Sequence, residues 1–271
     1  MKQNRGIILS VIMLPIACVM ALPFYYVLVN TLKTQQETAA NPLALPSTLD
    51  FDNYVQVLTT MPILQSFLNT LYVTVFSIAL MLLIGSMAAF GVLIGKGRFA
   101  TAIGVMLVVA FIVPGQATLI PLYHMLAGLQ LVDSLNGLIL MYSCGSIFCY
   151  FLIIGYMRSL PSELFEAARI DGAGPFRVYW SVVLPLIRPI LATVGVFQTM
   201  WVWNDFITPN VFINSPDKQT LVLQVYTAVG QFTTDWPAFM TLSLIVLIPM
   251  VIFFILAQRQ IVSGLASGSV K

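Results

Sequence analysis

Glu163-Leu164-Phe165-Glu166-Ala167-Ala168-Arg169-Ile170-Asp171-Gly172-Ala173-Gly174-Pro175-Phe176-Arg177-Val178-Tyr179-Trp180-Ser181-Val182-Val183-Leu184-Pro185-Leu186-Ile187-Arg188-Pro189 is a polar island between two long apolar stretches. Its composition predicts a helix, a tight turn and a second helix. Pro161 suits a first helical turn, and Glu163 places a negative charge at the favourable end of the helix dipole. Leu164, Ala167, Ala168 and Ile170 are apolar, with Glu166 beside them. The two adjacent alanines favour helix and leave no bulk between it and a neighbour. Gly172 stands where a left-handed glycine ends a helix. Gly174-Pro175 turns the chain, a second helix is expected from Phe176 to Leu184, and Pro185 and Pro189 redirect the chain into the next apolar segment. Two readings of this island stand. One is a short rigid helix offered to a protein groove, with Glu166 available for an ion pair. The other is an amphipathic loop helix resting on lipid headgroups. The mixed charge and small Ala-Ala face speak against the second, since lipid surfaces favour bulky apolar anchors.

The rest of the chain places this island in a membrane protein. Of 271 residues 59% are hydrophobic and 8% charged, with a mean hydropathy of +0.94; soluble proteins are about 25% charged. A bilayer core takes about 20 apolar residues per helix, and six segments qualify: 7–32, 67–94, 100–123, 136–157, 187–206 and 239–257. Pro114, Pro121 and Pro249 fall inside them, as neighbouring helices allow. Lys2 and Arg5 precede the first segment, and Ala17-Cys18 resembles a lipoprotein cleavage site. Pro15 spoils that site and the apolar run is too long for a cleaved signal, so an uncleaved first span is expected. Cys18, Cys144 and Cys149 sit in apolar runs and read as small buried hydrophobes.

Basic residues set the orientation. With the N-terminus inside, ten fall inside (Lys2, Arg5, Lys96, Arg98, Arg158, Arg169, Arg177, Arg188, Arg259 and Lys271) and two outside (Lys33 and Lys218). Both termini are predicted to be cytoplasmic. The chain then reads as one transmembrane domain, 1–271, with an outer segment 33–65 holding a short helix over Ser47–Leu58. A tight inner turn follows at 95–99, an outer link at 124–135, an inner loop at 158–186 and an outer loop at 207–238.

Outside the island the candidates are few. Asp205 is an acid at the outer edge of the fifth span, where pathway lining and structural pairing are both open. Trp201 and Trp203 fit either sugar stacking or an interfacial belt. His124, the single histidine, reads as structural. Gly85-x-x-x-Ala89 and Gly91-x-x-x-Gly95 permit close helix contact, including contact with a second membrane subunit. The sequence has no Gly-x-x-x-x-Gly-Lys-[Ser/Thr] phosphate loop and no His-Glu-x-x-His motif. Unpaired intramembrane charges are nearly missing, which disfavours an ion-coupled secondary transporter.

Glu166-Ala167-Ala168, Gly172 and Leu184-Pro185 together resemble the EAA signature of binding-protein-dependent ABC importer permeases. Asn53-Tyr54, Asn69-Thr70, Trp203-Asn204-Asp205-Phe206 and the tail Gln258-Arg259 with Gly264 and Gly268-Ser269-Val270-Lys271 are similar to recurring features of its carbohydrate branch, nearest the maltose-type second permease subunit. Val182, Asp205 and Ser269 depart from that pattern, which holds isoleucine, glutamate and alanine. The resemblance implies an all-α fold of six transmembrane helices of the type I importer permease kind, in a bacterial inner membrane. It implies a carbohydrate importer subunit that is not itself an enzyme, with glycerol phosphate or another solute as the alternative cargo. Glu163, Glu166, Ala167, Ala168, Asp171, Gly172, Leu184 and Pro185 would couple to the ATPase. Trp201, Trp203, Asn204 and Asp205 are candidates for the substrate pathway. The implied partners are a second permease, an ABC ATPase dimer that carries ATP and Mg, an extracytoplasmic solute-binding protein, a carbohydrate and the lipid bilayer. This chain itself would hold no cofactor or metal and bind no nucleic acid.

Overall fold

α1 (Lys2–Asn30) keeps Pro15 and Pro23 in its interior, and a polar knot closes its end. Asn53 Nδ2 donates to the carbonyls of Thr31 (3.0 Å) and Lys33 (2.9 Å) just beyond the helix. The Tyr54 hydroxyl meets Thr31 Oγ1 at 2.9 Å. Carbonyls at a helix end have no partner in the helical ladder, so these side chains supply one. Lys33 is fully buried, with Nζ donating to the Asn41 carbonyl at 2.8 Å, past α2 (Gln35–Ala40). The helix expected over Ser47–Leu58 is α3 (Asp52–Thr60) instead. The Asp50 carboxylate accepts from the Asp52 amide at 2.9 Å, and that local turn fixes the start.

The computed structural model describes residues 2–95, 97–231 and 235–269, and every regular element among them is helical. Lys96 of the expected 95–99 turn, residues 232–234 of the expected outer loop, and Val270 and Lys271 of the tail lie outside the described residues. α4 (Ile63–Ile94) starts at Ile63 rather than at Phe67, because nothing after Pro62 breaks a helix. Gln65 and Ser66 belong to the helix without belonging to the apolar run. Its 32 residues span about 48 Å, well beyond a hydrocarbon core of about 30 Å.

The third expected span is not one straight helix. α5 (Arg98–Ile112) gives way to a 3₁₀ turn, Gly115–Thr118, then to α6 (Leu119–Gly128), with a bend of 96°. Pro114 has no amide and holds Val113 extended (ψ 121°), which stops the helix there. α7 (Leu135–Ser143) and α8 (Ser146–Met157) make one span of 23 residues with a turn at Cys144-Gly145. α4 crosses α8 through Gly85, where a Cβ would stand 2.6 Å from Cys149 Cβ and 2.9 Å from the Ser146 carbonyl. Gly85 and the fully buried Ala89 therefore pack inside this chain and are not free for a second permease. A Cβ on Gly91 would meet nothing within 4 Å.

Next come α9 (Glu163–Ile170), α10 (Pro175–Val178), a wider turn at Tyr179–Val183 and α11 (Leu184–Leu186). α12 (Arg188–Trp203) follows at 75° to the preceding helical pieces. It ends at Trp203 rather than at Phe206, with Asn204 as its cap. The stretch 207–238 is not plain loop. It holds α13 (Ile207–Phe212), a 3₁₀ turn Pro216–Lys218 and α14 (Leu221–Gln231). α15 (Trp236–Ser269) passes Pro249 without a break and outruns the expected 239–257 at both ends, taking the Gln258-Arg259 tail into the helix.

Among the described residues four helices are long and apolar enough to cross a membrane, and up to six spans result when each bent pair is taken as one. The chain clusters into two compact units, Met1–Ile63 with Gln224–Pro249, and Leu64–Leu223 with Met250–Lys271. In the first, besides the knot, Gln56 Nε2 donates to Asp235 Oδ2 at 3.3 Å. In the second, the core is built on fully buried Met81, Leu126, Leu138, Ile153, Met157 and Val194.

Candidate functional site

Loop 158–186 has the expected helix–turn–helix form. The Ser162 carbonyl receives the Phe165 amide (3.0 Å) and the Glu166 amide (3.1 Å), so Pro161 stands just outside α9 rather than in its first turn. At the other end Gly172 takes φ +78°. The Asp171 amide returns to the Ala167 carbonyl and the Ala173 amide to the Ala168 carbonyl, each at 3.0 Å. This is the left-handed closure that glycine permits without strain. Pro175 opens the second helix. The wide turn before Pro185 ends with the Leu184 amide on the Tyr179 carbonyl. That extra residue in the turn relieves the clash a proline ring makes with the carbonyl four residues back.

Phe165 anchors α9 and is 9% exposed, and half-buried Ala168 packs beside it against the core. Adjacent helical residues point about 100° apart, so the alanine pair splits. Ala167 faces out with Glu163, Leu164, Glu166 and Ile170, which is 86% exposed. Asp171, Gly172 and Pro185 are exposed and Leu184 is half-buried. Phe176 and Trp180 are exposed on the second helix, ring centroids 6.0 Å apart. The buried Tyr179 ties this loop to α4, with its hydroxyl 2.8 Å from Ser86 Oγ and its ring 5.7 Å from Phe90. Among the described residues the ion pair found is Lys218–Asp133, so Glu163 and Glu166 make none there.

The opposite end of α12 carries the other candidates. Asp205 accepts from the Tyr142 hydroxyl (Oδ2, 3.0 Å) and from the Ile207 amide (Oδ1, 2.9 Å), starting α13. Structural pairing is therefore present at Asp205. Trp201 is 52% exposed and lies edge-on to Tyr142 at 5.6 Å. Asn204 is exposed, with Nδ2 on the Met200 carbonyl at 2.8 Å. Trp203 is buried edge-on to Phe67 at 6.0 Å. Trp201 and Asn204 thus share the open face, while Trp203 belongs to the packing behind it.

The segment after α13 is clamped twice. Asp133, itself left-handed at φ +55°, receives the Asn214 and Ser215 amides on Oδ1 at 2.9 Å each. Its Oδ2 takes the Ser215 hydroxyl and Lys218 Nζ, the latter at 3.2 Å. The Ser215 hydroxyl and amide, with help from Asn214 and Lys218, hold the Asp133 carboxyl well below the usual carboxylate range. From α4, Asn69 Nδ2 donates to the Asp217 and Gln219 carbonyls (2.8 and 3.0 Å), and Thr70 Oγ1 takes the Leu221 amide at 2.8 Å. The resemblance had marked Asn69-Thr70, and this grip is what the pair does. The sequence reading missed Tyr142, Phe165 and Tyr179, whose burial is invisible in apolar surroundings, and did not single out Asp133.

Among the described residues no group of three or more His, Cys, Asp or Glu could hold a metal ion. The three cysteines are free; Cys149 is buried, but Cys18 and Cys144 are exposed on this chain, against the reading of all three as buried.

Residues 81–266 match the family model described as "Binding-protein-dependent transport system inner membrane component". The chain is 36% identical over 267 residues to the probable starch degradation products transport system permease protein AmyC of Thermoanaerobacterium thermosulfurigenes, covering 98% of this chain and 94% of that protein. It is 30% identical to the melibiose/raffinose/stachyose import permease protein MelC of Bacillus subtilis, covering 94% and 93%. Its fold matches a chain in the crystal structure of a bacterial ABC transporter involved in the import of the acidic polysaccharide alginate. That match has TM-score 0.82 and 23% identity, and covers 95% of this chain and 96% of the other.

Proposed function

The chain belongs to the family of binding-protein-dependent transport system inner membrane components, and on that premise we propose that it is the permease half of an ATP-driven importer whose cargo is an oligosaccharide or related sugar. It crosses the membrane six times with both termini cytoplasmic, forms one permease domain, and pairs with a second permease. ATP and Mg are handled by a separate ATPase pair, and this chain holds neither cofactor nor metal. An extracytoplasmic binding protein delivers the sugar to the outer end, where Trp201 and Asn204 are exposed to it and Tyr142, Trp203 and Asp205 hold them in place. The sugar cargo is supported by the relatives, whose names are those of sugar permeases.

The observation that carries the reading is the exposed face of α9. Leu164, Ala167 and Ile170 stand free beside Glu163 and Glu166 while Phe165 fixes the helix from behind. A helix held so firmly and left so bare is a docking element for the ATPase. Closure of the ATPase pair moves α9 as a body, and the bundle shifts between two packed arrangements. The test is to tag the chain, purify it with its neighbouring gene products, and assay ATP hydrolysis. The wild type recovers a nucleotide-binding subunit and Glu166→Lys loses it. A chain that purifies alone and transports without ATP overturns the proposal and promotes an ion-coupled carrier.

A further inference from the structure

A cavity of about 560 Å³ opens between the end of α4, α5 and α8. Val105, Phe151 and Ile154 give it apolar walls, Gly104 leaves room beside the Tyr150 hydroxyl, and Thr101 and Arg158 are its polar edge. No acid lines it. Arg158 caps α8, the end of the 23-residue span Leu135–Met157, and so stands at headgroup depth. Phe151 lies about 10 Å further along the same helix, within the hydrocarbon. The cavity is therefore cationic where lipid headgroups lie and apolar where their chains lie. Among the described residues the Arg158 guanidinium has neither a hydrogen bond nor an ion pair. Arg98 is exposed at the start of α5, next to the lining residue Gly97. No residue of α5 is buried, so the cavity is thinly walled on that side.

We propose that this cavity is a binding site for an anionic phospholipid, with its phosphate on Arg158 and an acyl chain between α5 and α8. The proposal rests on the permease reading. Charge complementarity selects this occupant. A helix of a second permease would have to bring a carboxylate to Arg158, whereas the bilayer offers an anion at this depth beside a matching apolar chain. Basic pockets between membrane helices hold anionic headgroups for this reason.

The test uses the assembled complex, purified with its partners, reconstituted with phosphatidylglycerol and phosphatidylcholine in equal amounts, then extracted and weighed by native mass spectrometry. The wild type retains phosphatidylglycerol in preference, and glycerol phosphate in solution does not displace it. Arg158→Gln lowers that preference about fivefold, the attraction one cation exerts on an anionic headgroup. Gly104→Leu, which fills the cavity, abolishes retention of either lipid. Equal retention in all three proteins overturns the proposal, as does displacement by glycerol phosphate. Disulfide cross-linking of Thr101→Cys to a cysteine scan of the second permease is the remaining arm, and its success would place that chain in the cavity and overturn the lipid. Failure of the complex to assemble, in the wild type as well, would instead overturn the permease reading.

Discussion

The two loops at the ends of α12 are built on opposite plans. Loop 158–186 is fixed from behind by Phe165 and by Tyr179 on Ser86, and its outward face makes no ion pair among the described residues. Segment 213–221 is gripped on both sides by Asp133 and by Asn69-Thr70. One loop leaves Glu163 and Glu166 without an ion pair among the described residues, and the other spends its polar groups on its own chain. α4 serves both, since it holds Asn69 at one point and Ser86 about 25 Å further along. A single stiff helix thus links the end proposed for docking to the end proposed for the substrate. That is what a protein needs if a movement made at one face is to be felt at the other.

The comparison can be broken most severely at Gly172. Gly172→Val puts a β-branched residue at φ +78°, a strain of about 1–2 kcal/mol in a loop with few bonds to absorb it. ATP-driven uptake in proteoliposomes falls at least tenfold while the chain still reaches the membrane; normal uptake would show that the turn does not set the docking geometry. A second strain falls on α4. Gly85→Ala forces a Cβ against Cys149 and lowers stability by about 1–3 kcal/mol. Gly91→Ala, in open space, leaves the melting of the purified complex unchanged.

At the clamp on segment 213–221, Asp133→Ala lowers stability on the order of 1 kcal/mol, because hydrogen bonds to a charged group are lost at a partly solvated site. Acidification of the intact protein acts differently. The folded-state carboxyl is depressed, so its stabilisation is complete above the unfolded value of about 3.9 and drains only as pH falls through the lower folded one. Thermal unfolding between pH 7 and pH 5 should show no change attributable to this clamp. The smallest effect is expected at Trp201. Trp201→Ala raises the sugar concentration for half-maximal uptake a few-fold and leaves basal ATP hydrolysis as it was, measured on the same preparation.

Hydropathy made the apolar segments legible, and Gly172 with Pro175 made the turn between α9 and α10 legible, because each rests on a local rule. The bends were less so. Pro114 breaks the third segment while Pro249 leaves α15 intact, and only the packing around each decides which. The split of Ala167 from Ala168 follows from helical periodicity, yet which one faces out depends on the core beneath. The anchoring residues Phe165, Tyr142 and Tyr179 carried no signal, since an aromatic in an apolar run looks the same buried or bare. Asp133 offers a local pattern nothing but its charge. Its grip on Ser215 joins positions far apart in the chain, which no local pattern reports.

The most direct test places a cysteine at the bare face and another in the clamped segment. Ile170→Cys and Asn214→Cys variants of the assembled transporter are each cross-linked to a cysteine scan of the ATPase subunit and resolved by mass. The account predicts a disulfide from position 170 to the ATPase and none from position 214. A link from 214, or none from 170 in an assembled and active transporter, would contradict it.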